Sequence, residues 1–219
     1  MNPTAELVVG DGPTWTARRF GAEDFVPSVF TSLPDAAETG MDIDTWRTWF
    51  VNAASYAILA THRHGYAIFY QTDRRHDGRL LSKAALVVEA AHRVGAEVVW
   101  HKIAVRRMSV DLFRPGYSHL IAVSVAGRAG KATPDVFKAG SKVYPNATDS
   151  EALGVALGFL DRQGIEAVAD PYCGRGSIAW AASRRGMASW SVDIDPAQVD
   201  AAETLIAPHA TILRAEGVS

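Results

Sequence analysis

The segment Asp170-Pro171-Tyr172-Cys173-Gly174-Arg175-Gly176-Ser177 lies between a predicted strand, Glu166 to Asp170, and a predicted helix, Ser177 to Arg185. Its two glycines allow a sharp backbone turn and leave room for a ligand against the helix N-terminus. Asp193 follows 23 positions after Asp170, at the end of the next predicted strand. A carboxylate at that place can accept hydrogen bonds from both ribose hydroxyls, so the spacing is typical of a unit that holds a nucleoside.

The charge of Asp170 bears on which nucleoside is held. Residues 174–179 also fit the dinucleotide pattern G-x-G-x-x-[GA], so a nicotinamide or flavin cofactor is an alternative. A carboxylate at the strand end repels a pyrophosphate and attracts a cation. S-adenosylmethionine carries an ammonium, a sulfonium and an adenosine, and we therefore predict it as the cofactor. The non-functional interpretation is a tight turn with a surface aspartate at each end.

The string DPYCGRGSIAWAASRRGMASWSVDIDP, residues 170–196, resembles the cofactor motif of amino-methyltransferases that modify adenine or cytosine in DNA. That motif reads D-P-F-C-G-S-G-T and is followed by G-x-E-x-D-P. The resemblance implies that Asp170, Gly174 and Gly176 hold the methionine end of the cofactor and that Asp193 holds its ribose. The complete set of implied cofactor-binding residues is Asp11, Asp170, Pro171, Tyr172, Cys173, Gly174, Gly176, Asp193 and Ile194.

The chain also resembles the permuted (β-class) branch of that family, in which the catalytic half precedes the cofactor half. Gly10-Asp11 resembles the segment whose Asp neighbours the adenine amino group, and residues 99–102 and 117–119 loosely resemble two later segments. The resemblance implies one methyltransferase domain over residues 1–219, with a catalytic half (1–125), a linker (126–147) and a cofactor-binding half (148–219).

Thr31-Ser32-Leu33-Pro34-Asp35 falls where the family has T-S-P-P-Y, and the implied catalytic residues are Ser32, Pro34 and Asp35. In the family the first side chain and a backbone carbonyl orient the acceptor amine, and the final aromatic stacks on the flipped base. Asp35 replaces that aromatic. It offers two acceptor oxygens for adjacent donors, as on the edge of guanine, or for the proton released on methylation. The alternative is that Asp35 only caps the following helix.

Basic and aromatic residues after the predicted strands are candidates for contacting the substrate. Phosphate contacts are predicted for Arg74, Arg75, Arg106, Arg107 and Arg114, and base stacking for Phe113 and Tyr117. The alternatives are a solvated surface and simple packing. Only residues 127–146 are available as a target-recognition region, which is too little to read a DNA site. Such an enzyme needs a structured RNA, a small substrate or a partner to supply specificity. We favour RNA over DNA as the substrate, and we expect a protein partner or a homodimer.

Composition and charge exclude several classes of protein. The chain has 219 residues, 48% of them hydrophobic, and 22 Lys and Arg against 24 Asp and Glu give a net charge of −2, so no global basic field indicates nucleic acid. The start of the sequence lacks the pattern of a secretory signal, and we expect a cytoplasmic protein without membrane spans. The seven histidines have no metal-cage spacing, so no metal is predicted. The single cysteine, Cys173, is expected to pack behind the cofactor loop, with a reactive thiol as the alternative.

Alternation of strands and helices predicts an α/β fold with a mostly parallel sheet. The resemblance implies the Rossmann-like class I methyltransferase version, with about seven strands and one antiparallel strand. Residues 97–105 and 119–125 are predicted to form an antiparallel pair, because no helix fits between them. Residues 6–9 and 210–213 compete for the third-strand position, and we favour the N-terminal segment.

The function predicted from these features is methyl transfer from S-adenosylmethionine to an amino nitrogen of a nucleobase. One alternative is a catalytically idle subunit that binds S-adenosylmethionine and supports a partner. Another is a DNA adenine or cytosine amino-methyltransferase.

Overall fold

Eleven strands and seven helices form the part of the chain that the structure describes. The structure, a computed structural model, describes residues 2–106, 115–128 and 133–216. The strands are β1 (Thr4–Val9), β2 (Val29–Thr31), β3 (Ala67–Gln71), β4 (Arg74–His76), β5 (Arg79–Leu81), β6 (Glu97–Val105), β7 (Tyr117–Ser124), β8 (Val136–Lys138), β9 (Ala167–Asp170), β10 (Ala188–Asp193) and β11 (Thr211–Glu216). The helices are α1 (Gly12–Gly21), α2 (Ala36–Thr39), α3 (Ile43–Leu59), α4 (Lys83–Arg93), α5 (Ser150–Arg162), α6 (Ser177–Ser183) and α7 (Pro196–Ile206).

Nine of the strands form one sheet in the order β11-β1-β10-β9-β2-β3-β7-β6-β8. β7 runs antiparallel to both of its neighbours, β3 and β6, and the other neighbouring pairs are parallel. The predicted α/β class, the mostly parallel sheet and the antiparallel β6–β7 pair are therefore confirmed. The sheet has nine described strands rather than about seven, because β8 and β11 extend its two edges.

Residues 4–9 and 211–216 both belong to the sheet, and the N-terminal segment takes the position predicted for it. β1 lies beside β10, in the position favoured for the N-terminal segment. β11 pairs in parallel with the other edge of β1. A strand has two hydrogen-bonding edges, and β1 uses both.

β2 has only three residues. Val26 forms only an isolated bridge with Thr61, and ladder pairing starts at Val29. Pro27 lies between these positions and has no backbone N–H to donate, which accounts for the interruption.

Helices cover both faces of the sheet, and successive strand residues alternate between two cores. Val29, Phe69 and Ile121 pack against α3 and α4 in one buried cluster. Phe30 and Ile68, one position away, pack against α5 and α6 in the other. Strands buried on both faces need apolar side chains at nearly every position, which explains the continuous apolar runs in the sequence.

The parallel strands β1, β2, β3, β9 and β10 all end at the same edge of the sheet. Residues 10–12, 32–35, 72–75, 171–176 and 194–195 follow these ends. β9 leads through α6 to β10 on one side, whereas β2, its other neighbour, leads through α3 to β3 on the opposite side. Such a reversal of strand order leaves a crevice at the carboxyl ends, and ligands of open α/β sheets bind there.

Candidate functional site

A cavity of about 690 Å³ opens at this edge, where β1, β2, β9 and β10 end. We call it the first cavity. It brings together most of the residues singled out from the sequence, although they come from opposite ends of the chain. Its lining includes Asp11, Ser32, Pro34, Asp170, Pro171, Tyr172, Cys173, Gly174, Asp193 and Ile194. Gly176 and Asp35 are not part of the lining.

Asp170 is the last residue of β9 and is only 3% exposed. Its Oδ1 accepts hydrogen bonds from the Thr31 hydroxyl at 2.6 Å and from the Tyr172 backbone N–H at 3.2 Å. Burial raises the pKa of Asp170 to about 7 despite these two bonds, and the nearby charge of Asp193 adds to the rise. Among the described residues no cationic side chain compensates for this burial. A carboxylate held in this way favours a cationic ligand.

Asp193, at the end of β10, holds the glycine turn in place. Its Oδ2 accepts a hydrogen bond from the Gly174 N–H at 2.8 Å, and its Oδ1 accepts one from the Asp195 N–H at 3.0 Å. Burial raises the pKa of Asp193 as well. The next residue, Ile194, lines the cavity and is 70% exposed. An apolar side chain this open offers a surface on which a flat ring can pack.

Gly174 and Gly176 have different roles in the turn. Gly174 lies in the cavity wall with a φ of 51°. Gly176 has a φ of 77°, and a Cβ there would lie 2.8 Å from the Ala202 Cβ on α7. Gly176 therefore lets α7 pack closely against the start of α6. This packing supports the cavity wall from behind.

Asp11 and Gly12 join α1 to the same turn. Asp11 is the N-cap of α1, and its carboxylate accepts hydrogen bonds from the Thr14 N–H and hydroxyl. Gly12 packs directly on the backbone of the turn, since a Cβ at this position would overlap the Pro171 carbonyl oxygen. The start of α1 thus forms one side of the cavity only because residue 12 has no side chain.

Cys173 and Tyr172 belong to the turn itself and to the lining of the first cavity. Cys173 is buried, and burial raises the pKa of its thiol well above the usual value. This environment stabilises the neutral thiol, in agreement with the predicted packing role. The Tyr172 ring meets Trp49 of α3 edge-on, with the ring centroids 5.9 Å apart.

One wall of the first cavity was missed by the sequence analysis. It comes from residues 144–148, at the end of the segment expected to be a linker. The Tyr144 hydroxyl accepts a hydrogen bond from the Ser177 N–H at the start of α6, and Arg175 lies over the Tyr144 ring at 4.9 Å. No local pattern in residues 127–146 signals this contact.

A second cavity, of about 620 Å³, adjoins the first and shares Ser32, Leu33, Glu38 and Asn146 with it. Ser32 is exposed at this boundary. The ends of β2 and β3 and the start of α4 line the second cavity, and so do several cationic side chains. These are Arg74, Arg75, Lys83, Arg106 and Lys142.

The residues of the T-S-L-P-D segment are fixed by tertiary contacts. The Pro34 carbonyl accepts a hydrogen bond from the Trp46 indole N–H at 3.1 Å. Asp35 precedes α2 at its N-cap position, and its backbone N–H donates to Glu38 at 2.6 Å. The Asp35 carboxylate forms ion pairs with Arg74 and with Lys83. Both of its oxygens are therefore engaged by cations of the second cavity.

We expect Asp35→Ala to lower the free energy of unfolding by about 3 kcal/mol, because Lys83 would remain buried without a counter-ion. Lys83 is only 4% exposed. Denaturant titration measures the change, and adding Lys83→Met to the variant should restore most of it. The matched control is Asp24→Ala, which removes a partly exposed ion pair with Arg19 and should cost less than about 1 kcal/mol. Equal losses in Asp35→Ala and Asp24→Ala would contradict the expectation.

The remaining residues predicted to contact the substrate do not all line a cavity. Arg106 lines the second cavity and donates to the Thr72 hydroxyl at 3.1 Å and to the Tyr117 carbonyl at 3.0 Å. The Tyr117 ring packs edge-on against His119, with the centroids 5.2 Å apart, and lines neither of the two cavities. Arg107, Phe113 and Arg114 lie outside the described residues.

The described residues contain neither a metal-binding cluster nor a membrane-spanning helix. No group of three or more His, Cys, Asp or Glu in residues 2–106, 115–128 and 133–216 is arranged to hold a metal ion. In the same ranges no helix is both long and apolar enough to span a membrane.

Comparison with known proteins gives matches in structure and none in sequence. No family model matches the chain, and no curated protein matches it. TTHA0409 from Thermus thermophilus, described as a proposed DNA modification methylase and solved with S-adenosyl-L-methionine, matches with a TM-score of 0.71 at 16% identity. The match covers 98% of this chain and 99% of TTHA0409.

Two further structures match over most of their length. M1.HpyAVI in complex with S-adenosylmethionine matches with a TM-score of 0.60 at 12% identity, over 91% of this chain and 98% of that one. The cytosine-N4-specific PvuII DNA methyltransferase matches with a TM-score of 0.67 at 13% identity, over 94% and 86% of the two chains. The chain therefore has the α/β fold that these three structures share.

Proposed function

We propose that this chain transfers a methyl group from S-adenosylmethionine to an amino nitrogen of a nucleobase. The observation that carries the proposal is Asp170, a buried carboxylate without a cationic neighbour among the described residues, at one end of a cavity that has Asp193 at the other. An ammonium bound at Asp170 would compensate for the burial of the carboxylate. The S-adenosylmethionine complexes of two structural neighbours support this choice of cofactor.

The residues present fit the cofactor at each end. Asp170 suits the ammonium group and Asp193 suits the ribose hydroxyls, because each Asp193 oxygen retains acceptor capacity after its one backbone hydrogen bond. Ile194 offers an apolar surface to the adenine. A dinucleotide fits less well, because its pyrophosphate would face the Asp170 carboxylate.

The position of Ser32 supports transfer between the two cavities. Bound S-adenosylmethionine supplies an electrophilic methyl group; as the nitrogen–carbon bond forms, the carbon–sulfur bond breaks and the amine proton passes to water. Ser32 can accept a hydrogen bond from the amine, and the Pro34 region is held rigid by Trp46. In this arrangement Asp35 acts as a positioning residue for Arg74 and Lys83.

RNA is the preferred acceptor in this proposal, and DNA is the alternative. The chain has only residues 125–149 between β7 and α5, and β8 and part of the first cavity wall use some of these. This leaves little for a separate domain that reads a DNA site. The DNA alternative draws on the names of the structural neighbours, which describe DNA modification.

Two measurements test the proposal. Calorimetric titration should give heat with S-adenosylmethionine and none with NAD; the reverse result would make the chain a nicotinamide protein. The purified chain is then incubated with labelled S-adenosylmethionine and tRNA, rRNA or DNA. Label in an RNA pool supports the full proposal, and label only in DNA supports the alternative acceptor. Cofactor binding without label in any pool would indicate an idle subunit.

Affinity for the cofactor should depend on pH through Asp170. Burial raises the pKa of Asp170 to about 7, so below that pH the cationic ligand must displace a proton. We expect the dissociation constant for S-adenosylhomocysteine, which keeps the ammonium, to rise up to about tenfold per pH unit below pH 7 and to level off above it. Titration at pH 6 in buffers of different ionisation enthalpy should reveal the released proton. Equal affinities at pH 6 and pH 8 would contradict this expectation.

The same raised pKa predicts how the ligand-free protein responds to pH. Between about pH 4 and pH 7 the folded state keeps a proton on Asp170 that the unfolded chain releases. The contribution of this group to stability is therefore present at low pH and is lost as the pH rises through 7.

A further inference from the structure

Gln71 is the last residue of β3 and lines the second cavity. It is 1% exposed, and neither Oε1 nor Nε2 has a hydrogen-bond partner within the described ranges. A buried primary amide with neither atom bonded is costly, and buried polar side chains usually have at least one partner. Gln71 therefore calls for a partner from outside the described residues.

The polar groups next to Gln71 already have hydrogen-bond partners. His119 stands opposite Gln71 in the β3–β7 register. One ring nitrogen of His119 contacts Asp73 Oδ2 at 3.1 Å, and the other contacts His101 Nε2 at 2.8 Å. Asp73 uses its second oxygen to accept from the Lys83 N–H at 2.8 Å.

The β2 side offers no partner either. Thr31, the last residue of β2, pairs with Phe69, so the chain beyond β2 places Leu33 level with Gln71. Leu33 is buried and apolar. Of the surroundings that the structure describes, the second cavity is the one from which a partner for the amide can come.

The rest of the second cavity indicates what kind of molecule enters it. Ser32, where the two cavities meet, and Gln71 lie in the same lining, together with Arg106 and Lys142. Burial and the neighbouring charge of Arg106 lower the pKa of Lys142. An anion bound between these two cations would relieve their repulsion, as a phosphate does. The cavity thus combines a neutral hydrogen-bonding group with a place for a negative charge, which suits a nucleotide.

We propose that Gln71 is a specificity-determining residue that holds a nucleobase edge on which an amino group adjoins an unprotonated ring nitrogen. This inference rests on the proposed function, since the amino group is the methyl acceptor. The amide has an acceptor and a donor side by side, which match the amino group and the ring nitrogen. Adenine and cytosine both present such an edge.

The arrangement also explains how the acceptor nitrogen is directed. One amino hydrogen goes to Gln71 Oε1 and the other to Ser32, while Nε2 donates to the ring nitrogen. With both hydrogens held, the nitrogen lone pair is left free to face the first cavity. Asp35 does not take this role, because Arg74 and Lys83 occupy its carboxylate.

Binding measurements with nucleoside monophosphates test the inference without any methyl transfer. The probes are AMP with its 1-deaza and 7-deaza analogues and CMP with its 3-deaza analogue, each of which lacks one ring nitrogen. For the preferred base, the wild type should bind the parent roughly 10- to 100-fold more tightly than a deaza analogue. Gln71→Leu should bind parent and analogue equally. Wild-type protein that binds every analogue as tightly as its parent would overturn the inference.

Thermal stability distinguishes this role from a structural one. Gln71→Leu removes an unpartnered amide, so its melting temperature should equal or exceed that of the wild type. The control is Ser191→Ala, which removes another buried, unpartnered polar atom, on β10 outside the second cavity, and should change neither stability nor nucleotide binding. A fall in the melting temperature of Gln71→Leu with unchanged discrimination would show that the amide only supports the fold.

The two proposals can fail separately. If Gln71→Leu loses the discrimination but the wild type methylates no acceptor, the inference stands and the proposed activity fails. If the wild type methylates adenine or cytosine and Gln71→Leu treats parent and deaza acceptors as the wild type does, the activity stands and the inference fails.

Discussion

Asp170→Asn is expected to weaken binding of S-adenosylmethionine by about 100-fold or more while the ligand-free protein stays folded. The amide keeps an oxygen that can accept the hydrogen bonds from the Thr31 hydroxyl and the Tyr172 N–H. It has no charge to pair with the ammonium, and loss of one partner of a buried charge pair costs about 2–5 kcal/mol.

Calorimetry and denaturation at pH 8 give the two readouts for this variant. Because burial raises the pKa of Asp170 to about 7, the wild type carries a buried charge at pH 8 that the asparagine variant lacks. We therefore expect Asp170→Asn to be at least as stable as the wild type without ligand. Asp44→Asn makes the same charge change at an exposed position in the first turn of α3; it should leave cofactor binding unchanged and lower the free energy of unfolding by less than about 1 kcal/mol. Binding by Asp170→Asn within a few-fold of the wild type would refute the assignment of the ammonium to this carboxylate.

Gly12→Ala should damage both the fold and the cofactor cavity. The added methyl group would overlap the Pro171 carbonyl oxygen and touch the Tyr172 ring at 3.0 Å. Because the carbonyl belongs to the backbone of the turn, α1 or the turn itself must move. We expect a loss of about 2–3 kcal/mol in the free energy of unfolding, together with weaker cofactor binding.

The control for Gly12→Ala lies in the same helix. Gly21 is exposed at the end of α1, and a Cβ there meets no atom within 4 Å. Gly21→Ala should be neutral or should stabilise the protein by up to about 1 kcal/mol, since alanine has the higher helix propensity. Similar melting temperatures for Gly12→Ala and Gly21→Ala would mean that α1 is not held against the turn.

The sequence predicted the parts of the site that depend on local pattern. Asp170, Gly174 and Asp193 lie within one strand–turn–helix–strand unit, and their spacing alone predicted the nucleoside site that we propose. The alternation of strands and helices likewise predicted the class of the fold. The three-residue strand β8 was missed, because it lies in a segment rich in Gly, Lys and Pro and pairs with β6 only through tertiary packing.

Contacts between distant residues could not be predicted in this way. The hydrogen bond from Thr31 to Asp170 joins residues 139 positions apart. The ion pair between Asp35 and Lys83 depends on how α4 starts beside the end of β3, and nothing in the T-S-L-P-D segment signals it. Gln71 carries no motif; what marks it is its place in the second cavity, with both amide atoms buried and without a partner among the described residues.

The hydrogen bond between Thr31 and Asp170 has a thermodynamic consequence. Ser32 is joined to Thr31 by one peptide bond, so we expect a cation bound at Asp170 to restrict the motion of the serine between the two cavities as well. Occupancy of either cavity should then increase affinity in the other by the same factor, because linkage is reciprocal. The complex with both cavities occupied would then be more populated than two independent sites would give.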